Sequence, residues 1–261
     1  MYMKNFGYSL LLVLSLCWFQ ATAQESNTKY SVQYQSVLLD STYAQPVDLT
    51  MDTYIETLRS KMGEKLNIVI GTASMDLHRF KPQSPLSNFL ADNLLLFGND
   101  YLKNNKIEGS VDLSLLNFGG IRGSILAGDI TIETMYKIAP FENTVVILEI
   151  KGIELKKMFK KFTEKEQAAL SNAQTVYQNG RILSYSVNGE PIKDDKIYRM
   201  VTIDFLQNGG DGYLENVTFE NVIYTGIAIR DVYIQQIEAL TKLGKKVEAK
   251  MDNRVIIKPT P

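Results

Sequence analysis

The sequence predicts a mixed α/β fold, and three observations point there. Continuous apolar and β-branched runs at residues 66–73, 111–116 and 145–150 read as buried strands. Segments with apolar residues at helical spacing alternate with them, and the second half adds an alternating strand followed by an Asn-Gly turn. At 261 residues and 45% hydrophobic, the chain is long enough for one large core. No proline-rich linker, charge run or exact repeat divides it, so one mixed domain is expected over residues 48–261.

Residues 1–23 read as a secretory signal peptide: Lys4 gives a basic start, residues 8–19 an apolar core, and Ala21-Thr22-Ala23 a cleavage signal. The mature protein is therefore expected to be periplasmic or secreted. The single cysteine, Cys17, lies inside this leader, so the mature chain forms no disulfide. Acylation of Cys17 is the alternative; Leu16 before it is bulky where lipoprotein processing wants a small residue. No later run reaches about 18 apolar residues, which predicts no transmembrane segment in the mature chain. A formal net charge of −1 leaves no basic face for a nucleic-acid partner.

Residues 24–47 predict a leading strand and a loop ending near Pro46. From Asp48, the spacing of Met51, Tyr54, Ile55, Leu58 and Met62 predicts an amphipathic helix stopped by Gly63. A buried strand over 66–73 and an exposed polar passage over 75–82, containing His78, come next. Ser84-Pro85 then opens a helix whose apolar face, Leu86, Phe89, Leu90, Leu94 and Phe97, runs to Gly98. The strand at 111–116 ends in Asn117-Phe118-Gly119-Gly120-Ile121-Arg122, and a short helix leads to Pro140-Phe141. Strand 145–150 feeds, through Gly152, a helix carrying Leu155, Met158, Phe159 and Phe162. Later come an alternating strand at 182–187 with a hairpin at Asn188-Gly189, and the strand 198–205, which ends at Asn208-Gly209-Gly210-Asp211. A strand at 217–224, a helix from Ile229 to near Gly244 and a strand at 254–258 close the chain.

Several chemistries are tested by counting. A two-metal phosphoesterase centre needs several histidine and carboxylate ligands, and the chain has one histidine, His78, whose plainest role is a solvated loop residue. No G-x-S-x-G elbow, P-loop lysine or G-x-G-x-x-G turn is present. What remains is a binding constellation: Gly119-Gly120 with Asn117 and Arg122, Gly209-Gly210 with Asn208 and Asp211, and the aromatic side chains Phe141 and Phe205. A guanidinium for an anion, an acid for a sugar diol and two aromatic faces for a base are the parts of a nucleotide pocket. Residue types alone leave a second reading open, in which both Gly pairs are plain turns and both phenylalanines are core.

The ordered motifs Asn117-x-Gly-Gly-Ile-Arg122, Gly128-Asp129-Ile130-Thr131, Pro140-Phe141-x-Asn143 and Phe205-Leu206-x-Asn208-Gly209-Gly210-Asp211-Gly212-Tyr213 resemble the C-terminal, substrate-specificity domain of the 5′-nucleotidase family. The helix opening at Pro85 resembles that family's first conserved helix, and the likeness covers most of residues 48–257. The resemblance implies a layered α/β/β/α fold. It implies that Phe141 and Phe205 sandwich a base, Asp211 binds the ribose hydroxyls, Arg122 binds phosphate, and Asn117 and Asn143 orient the nucleoside, with Gly120 beside them. Arg79 and Lys81 stand where family members carry a further phosphate-binding arginine, and Gly180 is the nearest match to a pocket glycine.

The family's N-terminal metallophosphatase domain has no counterpart in the sequence, and the leader implies that the chain starts here by design. The expectation is thus an exported domain that binds a nucleoside 5′-phosphate or nucleoside, with no cofactor, no metal ligand and no catalytic residue of its own. Divalent metals and catalysis would come from a separately encoded metallophosphatase in nucleotide catabolism. The alternative is a non-catalytic nucleoside-binding or scavenging protein.

Overall fold

A computed structural model describes residues 33–36 and 48–259. The expected leader and most of the expected leading strand lie outside the described residues; residues 33–36 carry no regular structure. The chain divides into two units, Met1–Asp52 and Thr53–Pro261. The second unit holds the sheets and all of the site residues.

Helix α1 (Leu49–Leu66) forms with the expected apolar spacing but runs through Gly63. Glycine inside a helix costs about 1 kcal/mol relative to alanine, and it leaves the backbone ladder intact. The Gly63 carbonyl still accepts the Asn67 N–H at 3.0 Å. No residue of this helix is buried. Strand β1 (Val69–Ala73) is correspondingly shorter than expected and pairs antiparallel with β3 (Gly128–Thr131). The passage 75–82 is not wholly exposed: Leu77 is fully buried and exchanges backbone hydrogen bonds with Ile125 at 2.7 and 3.1 Å.

Helix α2 (Pro85–Asn104) starts as the sequence predicts. The Ser84 hydroxyl accepts the Ser87 N–H, and the Ser87 hydroxyl accepts the Ser84 N–H. It continues past Gly98, because that glycine is a contact rather than a stop. A Cβ there would lie 3.0 Å from Val111 Cγ2 and 3.2 Å from Val201 Cβ, so its absence lets the helix lie close on the sheet. Helix α3 (Ile132–Ile138) is capped in the same way by Thr131 and Thr134.

The central sheet has five strands in the order β5 (Ala169–Ser171), β2 (Leu113–Leu116), β8 (Ile197–Ile203), β4 (Thr144–Lys151), β9 (Asn221–Ala228). Helix α2 packs on β2, β5 and β8, and beside it runs helix α6 (Ile229–Lys242). Helix α4 (Gly152–Lys161) packs on β4 and β8 and stacks Phe159 on Tyr185 at 4.9 Å between ring centres. Tyr185 belongs to β7 (Arg181–Val187) of a second, three-stranded sheet, whose order is β10 (Val255–Lys258), β6 (Ala173–Gln178), β7. This is the layered, mixed α/β arrangement expected, around one contiguous apolar core.

Three local expectations are corrected. The β6–β7 hairpin turns at Asn179-Gly180, both with positive φ, while Asn188-Gly189 closes only the tight Val187–Glu190 turn that carries the chain to the other sheet. Strand 217–224 is displaced to Asn221–Ala228. The strand expected over 198–205 ends at Ile203, and Asp204–Gln207 form one helical turn, α5. The Asp204 carboxylate causes the change of direction: Oδ1 accepts the Phe205 N–H at 2.7 Å and Oδ2 accepts the Thr144 hydroxyl at 2.7 Å.

The C-terminal strand is held by Arg254, which donates to both Asp92 oxygens, both Asp252 oxygens and the Leu170 carbonyl. Burial alone would raise the Asp252 carboxyl. Hydrogen bonds and charge from Arg254, with a hydrogen bond from Gln83, outweigh that and hold it below the usual carboxylate range. Arg254→Met is therefore expected to destabilise the domain by about 1.5–3 kcal/mol at pH 7. Since the folded carboxyl titrates below its unfolded value of about 3.9, the Asp252 contribution is present above about pH 4 and lost as pH falls through the folded value. Urea midpoints at pH 7 and pH 3 check this: the gap between wild type and Arg254→Met should narrow in acid.

Candidate functional site

The site follows from strand direction. Strands β2 and β8 are parallel neighbours, with Leu113 opposite Met200, so the chain leaves both at the same edge of the sheet. Strand β4 is antiparallel to β8, with Val145 opposite Ile203, so it begins at that edge. The turn after β2, the turn after β8 and the loop before β4 are thereby brought together. A crevice outside the carboxyl ends of parallel strands is a common ligand position.

There an open cavity of about 280 Å³ is lined by Asn117, Gly119, Gly120, Arg122, Phe141, Asn143, Phe205 and Asp211. Asn117, Gly120, Arg122, Phe141, Asn143, Phe205 and Asp211, to which the sequence assigns substrate contacts, are all among them, whereas Asn208 is not. Asn117 to Arg122 come from the turn after β2, in which Phe118–Gly120 make one 3₁₀ turn. Ile121 is buried as a plug, and the Arg122 N–H donates to the Ile138 carbonyl at 2.8 Å.

Asn117 is only 5% exposed, and its Nδ2 donates to Asp211 Oδ2 at 2.7 Å. A carboxylate accepts and does not donate, so this contact fixes the amide orientation and turns Oδ1 away from it. Oδ1 is buried without a hydrogen-bond partner. A buried acceptor left unpaired costs about 1–3 kcal/mol, an amount that a donor on a ligand recovers. Gly120 is the residue that fits beside it: a Cβ there would stand 2.7 Å from Asn117 Oδ1.

Arg122 holds its guanidinium 5.4 Å from the centre of the Phe141 ring, and among the described residues it has no carboxylate partner. Phe141 and Phe205 are each 43% exposed, so neither is core. The bland reading of two core phenylalanines is set aside by that exposure. Phe205 lies over Gly210, where a Cβ would come within 2.4 Å of its ring, so any side chain at 210 must displace the ring. Asp211 takes a left-handed backbone, φ 54°, tolerated by a short polar residue, and Gly209 precedes it at φ 94°. The Thr144–Asp204 hydrogen bond ties the start of β4, next to Asn143, to the turn that carries Phe205.

Beneath Phe141 a smaller void of about 20 Å³ shares Asn117, Gly120 and Asn143 with the main cavity and reaches Leu90 and Tyr233. Burial pushes the Tyr233 phenol up, so it stays neutral.

Other candidates lie elsewhere. Arg79 donates to the Phe118 carbonyl at 2.8 Å, and Lys81 pairs with Glu166 at 2.8 Å; neither lines the cavity. Gly180 sits in the β6–β7 turn. His78 is exposed, 3.8 Å from Asp76 and 3.3 Å from the Ser124 hydroxyl. Among the described residues no three His, Cys, Asp or Glu side chains are placed to hold a metal ion, and no helix is long and apolar enough to cross a membrane. Thr144, Asp204 and Arg230, which shape the site from behind, were not singled out by sequence reasoning; their single polar side chains carry no local pattern.

A family model described as the 5′-nucleotidase C-terminal domain matches residues 69–217. Protein UshA of Yersinia enterocolitica is 34% identical over 136 residues, 50% of this chain and 25% of UshA. The 5′-nucleotidase of Vibrio cholerae is 28% identical over 137 residues, 51% of this chain and 25% of that protein. Each match thus spans about a quarter of the relative's length. Among solved structures, a 5′-nucleotidase precursor from Thermus thermophilus superposes with a TM-score of 0.67 at 24% identity, over 83% of this chain and 44% of that one. That likeness concerns the fold.

Proposed function

The chain belongs to the family of 5′-nucleotidase C-terminal domains, and we propose on that premise that its cavity binds a nucleoside 5′-phosphate or nucleoside. The observation that carries this reading is the lining itself. Two exposed aromatic faces, a guanidinium with no carboxylate partner among the described residues, and a carboxylate joined to an amide whose buried oxygen has no partner among them share one opening. Rings suit a planar base. The Asp211 carboxylate accepts hydrogen bonds from a ribose diol, and Arg122 donates to a phosphate.

We further propose that the protein is exported and acts in nucleotide catabolism. A separately encoded metallophosphatase would supply the divalent metals, while this chain holds the substrate. The support is compositional: one histidine in 261 residues does not furnish the ligands of a two-metal centre. The test is to purify residues 24–261 and measure binding and turnover side by side. AMP and adenosine should bind, with no phosphate released from AMP when manganese or zinc is added. Metal-dependent turnover by the chain alone would sink the division of labour; absence of any binding would sink the pocket assignment.

A further inference from the structure

Arg230 is the second residue of α6, and its placement is hard to explain as a stabilising device. It is 4% exposed, its Nε is buried without a partner, and the positive end of the helix dipole faces its charge. A buried cation in such a place is disfavoured against an apolar side chain of similar volume. Among the described residues, what offsets the disfavour comes from one segment. The guanidinium carbon lies 3.9 Å from the centre of the Tyr136 ring, Nη1 donates to the Ala139 carbonyl at 3.1 Å, and Nη2 donates to Glu142 Oε1 at 2.6 Å.

Ala139 and Glu142 flank Pro140-Phe141. One planar fork therefore grips the loop on both sides of the aromatic residue that lines the cavity. Phe141 needs such a grip, because at 43% exposure its ring is not fixed by burial in the core. Next to Arg230, the Ile229 N–H donates to the Asn143 carbonyl at 3.0 Å, so the first two residues of α6 hold the loop at three points. Glu142 is itself 78% exposed, with water as an alternative partner, so the pair is poor as a salt bridge and useful as a tether. A lysine has one donor centre where the arginine fork has two directions.

We propose that Arg230 is a positioning residue: from behind the cavity, without touching the ligand, it sets the location of Phe141 and so the affinity for a base. The proposal rests on the nucleoside-binding reading above. In the mature chain, Arg230→Met should weaken adenosine binding by about tenfold, and in a Phe141→Ala background the same change should alter affinity by less than about twofold. Equal fold-losses in the two backgrounds would show a general structural effect and overturn the proposal, as would no loss in the first. If Arg230→Met fails to fold, Arg230→Lys keeps the cation and the aliphatic stem, and the same loss of effect on removing Phe141 is expected of it. Amide hydrogen exchange gives a readout that needs no ligand. Exchange at Ile229, whose N–H donates to the Asn143 carbonyl, should accelerate in either variant while β2 and β8 keep their protection, and unchanged exchange at that amide would contradict the tether even if the wild-type chain bound no nucleoside. Failure of wild-type binding alone would count against the function, not against the tether.

Discussion

Arg122→Ala is expected to weaken AMP binding by about 1.5–3 kcal/mol more than it weakens adenosine binding, a difference of roughly 10- to 150-fold in Kd. The argument is that the two ligands differ only in the phosphate, and Arg122 is the cation that lines the cavity. Its guanidinium has no carboxylate partner among the described residues, so its charge is not already spent on the protein. Arg79 and Lys81 cannot take over without breaking their own contacts to the Phe118 carbonyl and to Glu166. Calorimetric titration of both ligands into both proteins measures the difference. Equal losses for AMP and adenosine would mean that Arg122 acts through the Phe141 ring it faces, rather than on phosphate. Arg122→Lys should recover part of the AMP affinity, since a lysine keeps the charge and loses the fork.

The second large effect concerns the rings. Phe141→Ala and Phe205→Ala should each cost about 1–3 kcal/mol in affinity, in line with base–aromatic stacking elsewhere. The pattern is the reverse of that for Arg122: AMP and adenosine should lose equally, because they share the base. Stability should fall by less than for a core ring, since each is 43% exposed. Phe159→Ala serves as the contrast. That ring is fully buried and stacked on Tyr185, and its removal should cost about 3–5 kcal/mol of folding stability. Normal affinity in both pocket variants would put the ligand elsewhere on the domain, and no binding by the wild type would indicate a domain that keeps the family fold and has lost the pocket.

The site was largely legible in the sequence because its parts sit where strands stop, and glycine pairs mark such stops. Asn117 to Arg122 follow β2 and Asp211 follows the turn after β8; parallel pairing of the two strands then brings them together. Glycine also misled, for the same residue does different work in different surroundings. At Gly63 and Gly98 the helices run on. At the second of these glycines a Cβ would press on Val111 and Val201, so the residue serves close packing on the sheet and not a stop. At Asn188-Gly189 the turn is as tight as expected, but the strand that follows enters another sheet, a choice set by tertiary packing and not by the turn. The sequence reads Phe205 as the end of a strand, whereas Asp204 turns the chain there by bonding the Phe205 N–H and Thr144, the latter sixty residues away in sequence. Arg230 was invisible for a related reason: its partners at 136, 139 and 142 are near it only in the fold.

The most direct test of the central claim is an AMP titration of ¹⁵N-labelled residues 24–261 followed by amide shifts. The account predicts saturable shifts concentrated at residues 117–122, 141–143 and 205–212, the three segments around the cavity. Saturable shifts centred instead on the hollow beside Arg254, lined by Asn172, Gln174 and Asp252, or no shifts at saturating AMP, would contradict it.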